Sequence, residues 1–313
     1  MIRVLSGRVL VLEPAFDLEL ARSVLEPTGA SVELATDARG DDVVALLVGP
    51  DQPVGRPEID RLPALRAVAT CSVGFDHVDV AAAEERGVVV ANVPDYCVEE
   101  MADSTLALLL SLLRGVVLLD RSVRDGVWDD HAAGPLARLA GTRLGIVGFG
   151  RIGRAVAERT LALGMEVWAH DPIVPDEAIA TAGARPSSLD NLLAACGAVT
   201  LHCPLNAQTE GLLGRRELGL MPDGAILVNT ARAGLVDVEA VDDALVAGRL
   251  AAAAFDVWTT EPPDELPAWP NLVLTPHAAW FSPEAEAAAY RRPVEAIRDV
   301  LEGRETRDRV TPQ

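Results

Sequence analysis

Three residues at or just beyond the ends of apolar runs carry the side chains that carbonyl reduction needs: Arg232 in VNTARAGLVD, Glu261 in FDVWTTEPP and His277 in LTPHAAWF. An imidazole can protonate an emerging alkoxide, and a guanidinium can hold an anionic substrate and polarise its carbonyl. A lone histidine at a strand end is more often a simple hydrogen-bonding residue, so this reading requires a hydride carrier elsewhere in the chain. The segment RLGIVGFGRIGRAVAERTLALGMEVWAHDP provides for one. Gly148, Gly150 and Gly153 form GxGxxG directly after a strand and at the start of a helix, with a second strand behind. The first glycine makes the tight turn, the second lets backbone approach a pyrophosphate, and the third lets helix and strand pack closely. Asp171, at the end of the second strand, is placed to bind an adenosine ribose and to repel a 2′-phosphate, which favours NAD over NADP.

These residues need strands to position them. The runs RVLVLEP, SVELAT, VVALLVG, LRAVATC and VVVANVP alternate with polar or helical segments, the pattern of a parallel α/β sheet. A second series, RLGIVG, EVWAHDP, AVTLHCP, AILVNTA, AAAAFDVW and NLVLTPH, predicts six strands of a doubly wound nucleotide-binding sheet. Between the two series, EEMADSTLALLLSLLRGVVLLDRSVRDG reads as one long helix, apolar on more than one face and therefore buried between domains or subunits. The tail begins with Ser282 as cap and Pro283 as first helical residue, and Pro293 is expected to kink that helix.

Composition narrows the field. A chain of 313 residues suits two domains, and half of its residues are hydrophobic, enough for two cores. A net charge of −20 repels nucleic acid and anionic lipid, so neither is an expected partner. All 27 basic residues are arginine, which excludes Schiff-base lysine chemistry and makes any anion-binding cation a guanidinium. Cys71, Cys97, Cys196 and Cys203 form no CxxC pair and lack zinc spacing, so no metal site is expected and the thiols read as reduced. The amino terminus, with arginines at 3 and 8, has no signal-like apolar region, and the run Thr105–Leu113 is too short to cross a bilayer. These features predict a cytoplasmic protein.

Over nearly its whole length the chain resembles the D-isomer-specific 2-hydroxyacid dehydrogenases. The glycine segment, LHCPLNAQTEGLLG, MPDGAILVNTARAGLVD, AAAAFDVWTTEPP and LTPHAAW look like family blocks in family order. The resemblance implies an α/β protein with two doubly wound parallel-sheet domains. A Rossmann NAD-binding domain (98–283) would be inserted into a flavodoxin-like substrate domain (1–97 and 284–313). It implies that Arg232 binds the carboxylate and carbonyl of a small 2-oxo or 2-hydroxy acid, and that His277 is the acid/base with Glu261 as its partner. A carboxylate beside an imidazole favours the protonated ring, ready to give a proton in the reductive direction. Besides the three glycines and Asp171, the implied NAD contacts are Arg151 and Ile152 at the pyrophosphate, Cys203 and Pro204 beside the adenosine, Ala231 and Asp256 near the nicotinamide amide, and Thr209 and Thr230. Cys203 reads equally as core filling. His170 and His202 read as strand-end hydrogen-bonders and His131 as solvated, while His77 lies beside the expected substrate loop.

In that loop, ATCSVGFDHVD, the resemblance assigns the substrate carboxylate to the amides of Val73 and Gly74. Thr70 is expected among the substrate-binding residues; many relatives have arginine at its position and glycine where this chain has Ser72, so an expected cation is absent. PDYCVEEMADSTLALLL and PHAAWFSPEA are similar to the branch that contains the C-terminal binding proteins. In that branch Trp280 would border the substrate side chain, and a buried interface aromatic is the alternative. Two functions stay open: an NAD-dependent 2-oxo acid reductase, and an NAD(H)-sensing interaction protein that keeps the fold. A homodimer is expected through Thr105–Leu119.

Overall fold

The computed structural model describes residues 7–263, 269 and 271–310; Arg3 and the rest of the amino-terminal stretch lie outside them. The chain divides into two compact units, Met1–Tyr96 with Ser282–Gln313, and Cys97–Phe281.

The first unit holds five strands: β1 (Gly7–Val11), β2 (Ala30–Leu34), β3 (Val43–Val48), β4 (Ala67–Thr70) and β5 (Val89–Ala91). They form one parallel sheet in the order β2-β1-β3-β4-β5. All six residues of β3 are buried, which is why its sequence is a continuous apolar run with no alternation. The helix Pro283–Leu301 returns to this unit and packs Ala289, Val294 and Ile297 into the core that contains Val9, Ala45 and Ala69. Burying each large side chain in such a core is worth roughly 1.5–3 kcal/mol. Ser282 caps the helix by accepting the Ala285 N–H at 3.0 Å, and Pro293 lies inside the helix without ending it. The segment Cys71–His77 leaves the carboxyl end of β4, where sheets of this order present ligand loops.

The second unit holds β6 (Arg143–Val147), β7 (Glu166–His170), β8 (Arg185–Pro186), β9 (Ala198–Leu201), β10 (Ala225–Asn229), β11 (Leu250–Phe255) and β12 (Leu272–Leu274). Their order is β12-β11-β10-β9-β6-β7-β8, with every pair parallel. The order in which strands are added reverses beside β6, between β6 and β9, the kind of switch point where doubly wound sheets bind dinucleotides. Six strands are expected from sequence and seven are present. The additional one, β8, is a two-residue edge strand containing a proline, too short to leave an apolar run.

The stretch expected to be one long helix is two, Val98–Leu113 and Val116–Arg124, bent by 59°. Gly115 between them has φ 59°, a left-handed conformation that costs glycine little and breaks the helix. Ala102, Thr105, Leu108, Leu109 and Leu113 of the first helix are buried in this unit's core, whereas the second helix buries none of its residues. Among the described residues no single helix is long and apolar enough to cross a membrane.

Candidate active site

The turn after β6 is built for close approach. Gly148 has φ 92°, and a Cβ there would lie 2.5 Å from the amide nitrogen of Cys203. A Cβ on Gly153 would lie 2.1 Å from the Gly148 carbonyl oxygen, so the helix Arg151–Ala162 meets the turn only because that residue is glycine. Gly150 is the N-cap residue, contributes no side-chain cap, and faces open space where a Cβ would stand. Among the described residues no acceptor takes the N–H groups of Arg151, Ile152 or Gly153. A cradle of unpaired amides at the positive end of a helix dipole, open at Gly150, fits a dinucleotide pyrophosphate.

Asp171 closes this turn from the end of β7. Its Oδ2 accepts the Phe149 N–H at 2.7 Å, and its Oδ1 accepts the N–H groups of Ile173 and Val174 at 2.9 and 3.0 Å. Burial works against the charge, but the three backbone donors outweigh it and hold the carboxyl below the usual range, so it is ionised at neutral pH. On the other side of the turn, burial pushes the Cys203 thiol up to about 11 and the His202 imidazole down to about 3. Both are therefore neutral, and His202 bonds the Thr200 hydroxyl at 3.0 Å as a strand-end residue. His170 Nδ1 bonds the Ser187 carbonyl at 3.0 Å, and His131 is exposed beside Asp130. Thr209 donates its hydroxyl to the Pro204 carbonyl at 2.6 Å, which shapes the loop after β9.

Arg232, Glu261 and His277 follow the carboxyl ends of β10, β11 and β12, three neighbouring strands. Asn229, fully buried, fixes the first of these turns by accepting the Ala231 N–H at 3.0 Å and donating to the Arg232 carbonyl at 2.8 Å. Thr230, also buried, shares a 2.8 Å hydroxyl contact with Thr105. The Arg232 guanidinium donates to the Ala231 carbonyl at 2.9 Å. Glu261 Oε1 accepts the Trp258 N–H at 2.8 Å, and its Oε2 meets His277 Nδ1 at 2.7 Å. An ionised carboxylate only accepts, so Nδ1 carries the proton and Nε2 is the nitrogen left to exchange one with a substrate. Among the described residues no partner occupies Nε2, and the His277 side chain is 35 % exposed. A core histidine would be neither open nor unpaired.

His277 is the only non-glycine residue with positive φ, 52°, among the described residues. Asp256 holds it there. The Asp256 carboxylate, 1 % exposed, accepts the Thr275 hydroxyl at 2.5 Å and the N–H groups of Ala278 and Ala279 at 2.9 Å each, while its backbone carbonyl accepts the His277 N–H at 2.8 Å. Backbone strain held by surrounding bonds at a reactive residue is a mark of a functional turn. This anchoring role escaped the sequence reading, although a lone aspartate closing the apolar strand LAAAAF was its visible sign. Trp280 packs edge-on against Phe281 with ring centroids 5.6 Å apart.

In the first unit, Thr70 is fully buried and bonded to Ser72 and His77, and Val73 and Gly74 follow in the loop.

Residues 106–279 match the model of the D-isomer specific 2-hydroxyacid dehydrogenase, NAD binding domain. The chain is similar to a D-3-phosphoglycerate dehydrogenase of Methanocaldococcus jannaschii, 34 % identical over 95 % of this chain, and spans 58 % of that protein's length. It is similar in structure to a glyoxylate reductase from Paecilomyes thermophila, with TM-score 0.87 and 28 % identity over 97 % of this chain and 98 % of the other. A D-lactate dehydrogenase from Aquifex aeolicus, solved with NAD and lactic acid, gives TM-score 0.85 at 25 % identity over 95 % and 96 %. A glycine cradle that fits a pyrophosphate, an ionised Asp171 at the end of β7, a family match across the second unit and the NAD-bound neighbour assign NAD as the cofactor. On this evidence the chain belongs to the D-isomer-specific 2-hydroxyacid dehydrogenase family.

Proposed function

We propose that the protein is an NAD-dependent oxidoreductase that interconverts a small 2-oxo acid and its D-2-hydroxy acid. The observation that carries this reading is the His277–Glu261 pair, 2.7 Å apart at Nδ1 with Nε2 unpaired among the described residues. Bound NADH supplies the hydride. Arg232 binds the substrate carboxylate and polarises the carbonyl oxygen, drawing negative charge onto it. The His277 imidazolium gives its Nε2 proton to that oxygen, and the Glu261 carboxylate stabilises the charged ring beforehand and keeps Nδ1–H oriented. In the oxidative direction neutral His277 takes the hydroxyl proton back. Asp256 serves this chemistry by fixing the turn that aims the ring, and Thr230, Ala231 and Asp256 border the nicotinamide. Arg151 and Ile152 take the pyrophosphate, while Cys203, Pro204 and Thr209 flank the adenosine. A sensor without turnover would have no use for a strained histidine paired to a carboxylate.

The substrate proposed is a monocarboxylic 2-oxo acid with an apolar or thioether side chain. The Thr70–Asp79 stretch of the substrate loop contains no arginine, and the chain has no lysine to bind a second anionic group. Trp280 would add an apolar wall, against which one methylene is worth roughly 1–3 kcal/mol of discrimination. The assembly proposed is a homodimer. The buried leucines of Val98–Leu113 serve the chain's own core, so the surface for a second copy is the following helix and turn, where Val116, Val123 and Val127 are about half exposed and Trp128 is 90 % exposed. The four free cysteines suit a reducing, cytoplasmic setting. The test is a kcat/KM series over 2-oxo acids of rising chain length and charge. Apolar monocarboxylates should rank first, and 3-phosphohydroxypyruvate or oxaloacetate at the top would refute the pocket reading.

A further inference from the structure

The loop after β4 contains a chain of hydrogen bonds whose proton order can be deduced. Ser72 Oγ lies 2.6 Å from the Gly74 carbonyl oxygen, and a carbonyl cannot donate, so the single Ser72 proton is committed there. Ser72 Oγ also lies 2.9 Å from Thr70 Oγ1, which must therefore be the donor in that contact. With the Thr70 proton spent, the 3.1 Å contact between Thr70 Oγ1 and His77 Nε2 requires that Nε2 carry a hydrogen. The order is His77 Nε2–H to Thr70, Thr70 to Ser72, Ser72 to Gly74. Thr70 is fully buried and Ser72 is 9 % exposed, so these bonds are not exchanged freely for water.

The end of this chain is a peptide carbonyl, and a second buried side chain anchors the peptide before it. Asn92, 8 % exposed, donates Nδ2 to the Val73 carbonyl at 2.7 Å. In a trans peptide C=O and N–H point in opposite directions. Tying down the Val73 carbonyl therefore turns the Gly74 N–H away from Asn92, and tying down the Gly74 carbonyl turns the Phe75 N–H away from Ser72. Among the described residues no acceptor takes the N–H groups of Val73, Gly74 or Phe75. Successive unpaired amides of this kind are available to donate to an anion.

We propose that His77, Thr70 and Ser72, with Asn92, are positioning residues that hold the Gly74 and Phe75 amides for the substrate carboxylate, a neutral hydrogen-bond device in place of a loop cation. This inference rests on the functional reading above, which makes the ligand a 2-oxo acid. It gives Phe75 N–H a role alongside the amides of Val73 and Gly74, and it gives Thr70 and Ser72 a purpose that excludes direct contact with substrate. A carboxylate interaction made alike in ground and transition states appears in KM and not in kcat.

The experiment measures binding of oxamate, an unreactive 2-oxo acid analogue, to the NADH complex of the full chain, together with KM and kcat for the best 2-oxo acid. Ser72→Ala and Thr70→Val should each weaken oxamate and raise KM roughly tenfold, with kcat and NADH affinity near wild type. Thr70→Ser, which keeps the hydroxyl, should restore both. Nitrogen NMR of the His77 ring should show the proton on Nε2 in the neutral ring. Oxamate binding by Thr70→Val equal to wild type, or a proton on Nδ1 alone, would overturn the inference while leaving the function intact. A wild-type protein that neither reduces any 2-oxo acid nor binds oxamate would overturn the functional reading and this inference with it.

Discussion

His277 and His77 each sit in a turn beyond the carboxyl end of a parallel strand, β12 in one unit and β4 in the other, yet their partners make them different devices. His277 Nδ1 faces an ionisable carboxylate at 2.7 Å, with the rest of the Glu261 and Asp256 bonds holding the turn in a strained conformation. His77 Nε2 faces a hydroxyl at 3.1 Å at the head of a chain that ends on a backbone carbonyl. A carboxylate stabilises a charged ring and so supports proton transfer; a hydroxyl that must accept only fixes where one hydrogen points. On the function proposed, the partner, more than the residue type or its place in the fold, separates an acid from a strut.

Substitution at the two histidines should break this comparison most visibly. His277→Ala is expected to lower kcat by about two to four powers of ten with NADH affinity unchanged, the usual worth of a positioned acid/base, whereas His77→Leu should leave kcat near wild type and act on KM. Steady-state kinetics of both variants decide it, and equal losses of kcat would erase the distinction. Glu261→Gln should reduce kcat less than removal of the histidine does, because a neutral amide oxygen holds the Nδ1–H of His277 more weakly than a carboxylate. A kcat equal to wild type would count against the pairing.

Thr70→Arg sharpens the other side. Thr70 is fully buried and both of its hydroxyl contacts are used, so a guanidinium at this position breaks the chain to Gly74, and KM should rise roughly tenfold instead of improving. A tighter KM would show that the missing cation is an ordinary loss. The smallest effect is expected at Asp171, whose carboxyl is held below its usual range by three backbone donors despite burial. A folded-state value below the unfolded one contributes stability above the ordinary carboxylate range and loses it as pH falls through the depressed value. The Tm difference between wild type and Asp171→Asn should therefore be greatest near neutrality and close under strongly acidic conditions. The same variant should weaken the preference for NADH over NADPH, as measured by the two dissociation constants.

Much of this was legible in the residues. The strands of both sheets could be read because buried parallel strands are unbroken apolar runs, and the glycine turn because its spacing and its strand-turn-helix setting are both required by close approach. The pairing of His277 with Glu261 was legible from the blocks around them. The two-residue strand β8 was not, since it has no periodicity to show, and neither was the break at Gly115, where a glycine inside an apolar helical run is compatible with either continuation or a turn. The Asp256 anchor and the Thr70–Ser72–His77 chain were hidden for a different reason. Their partners are set by how strands and turns fold back, and polar residues in a loop look alike until that folding places them within 3 Å.

The central claim is that the strained, carboxylate-paired histidine turns over substrate and does not merely accompany a bound dinucleotide. The most direct measurement counts NADH molecules oxidised per subunit in the presence of saturating apolar 2-oxo acids, with chiral analysis of the product. Many turnovers per subunit, yielding the D-2-hydroxy acid, are predicted. Tight NADH binding with no oxidation by any 2-oxo acid, or formation of the L-isomer, would contradict the account.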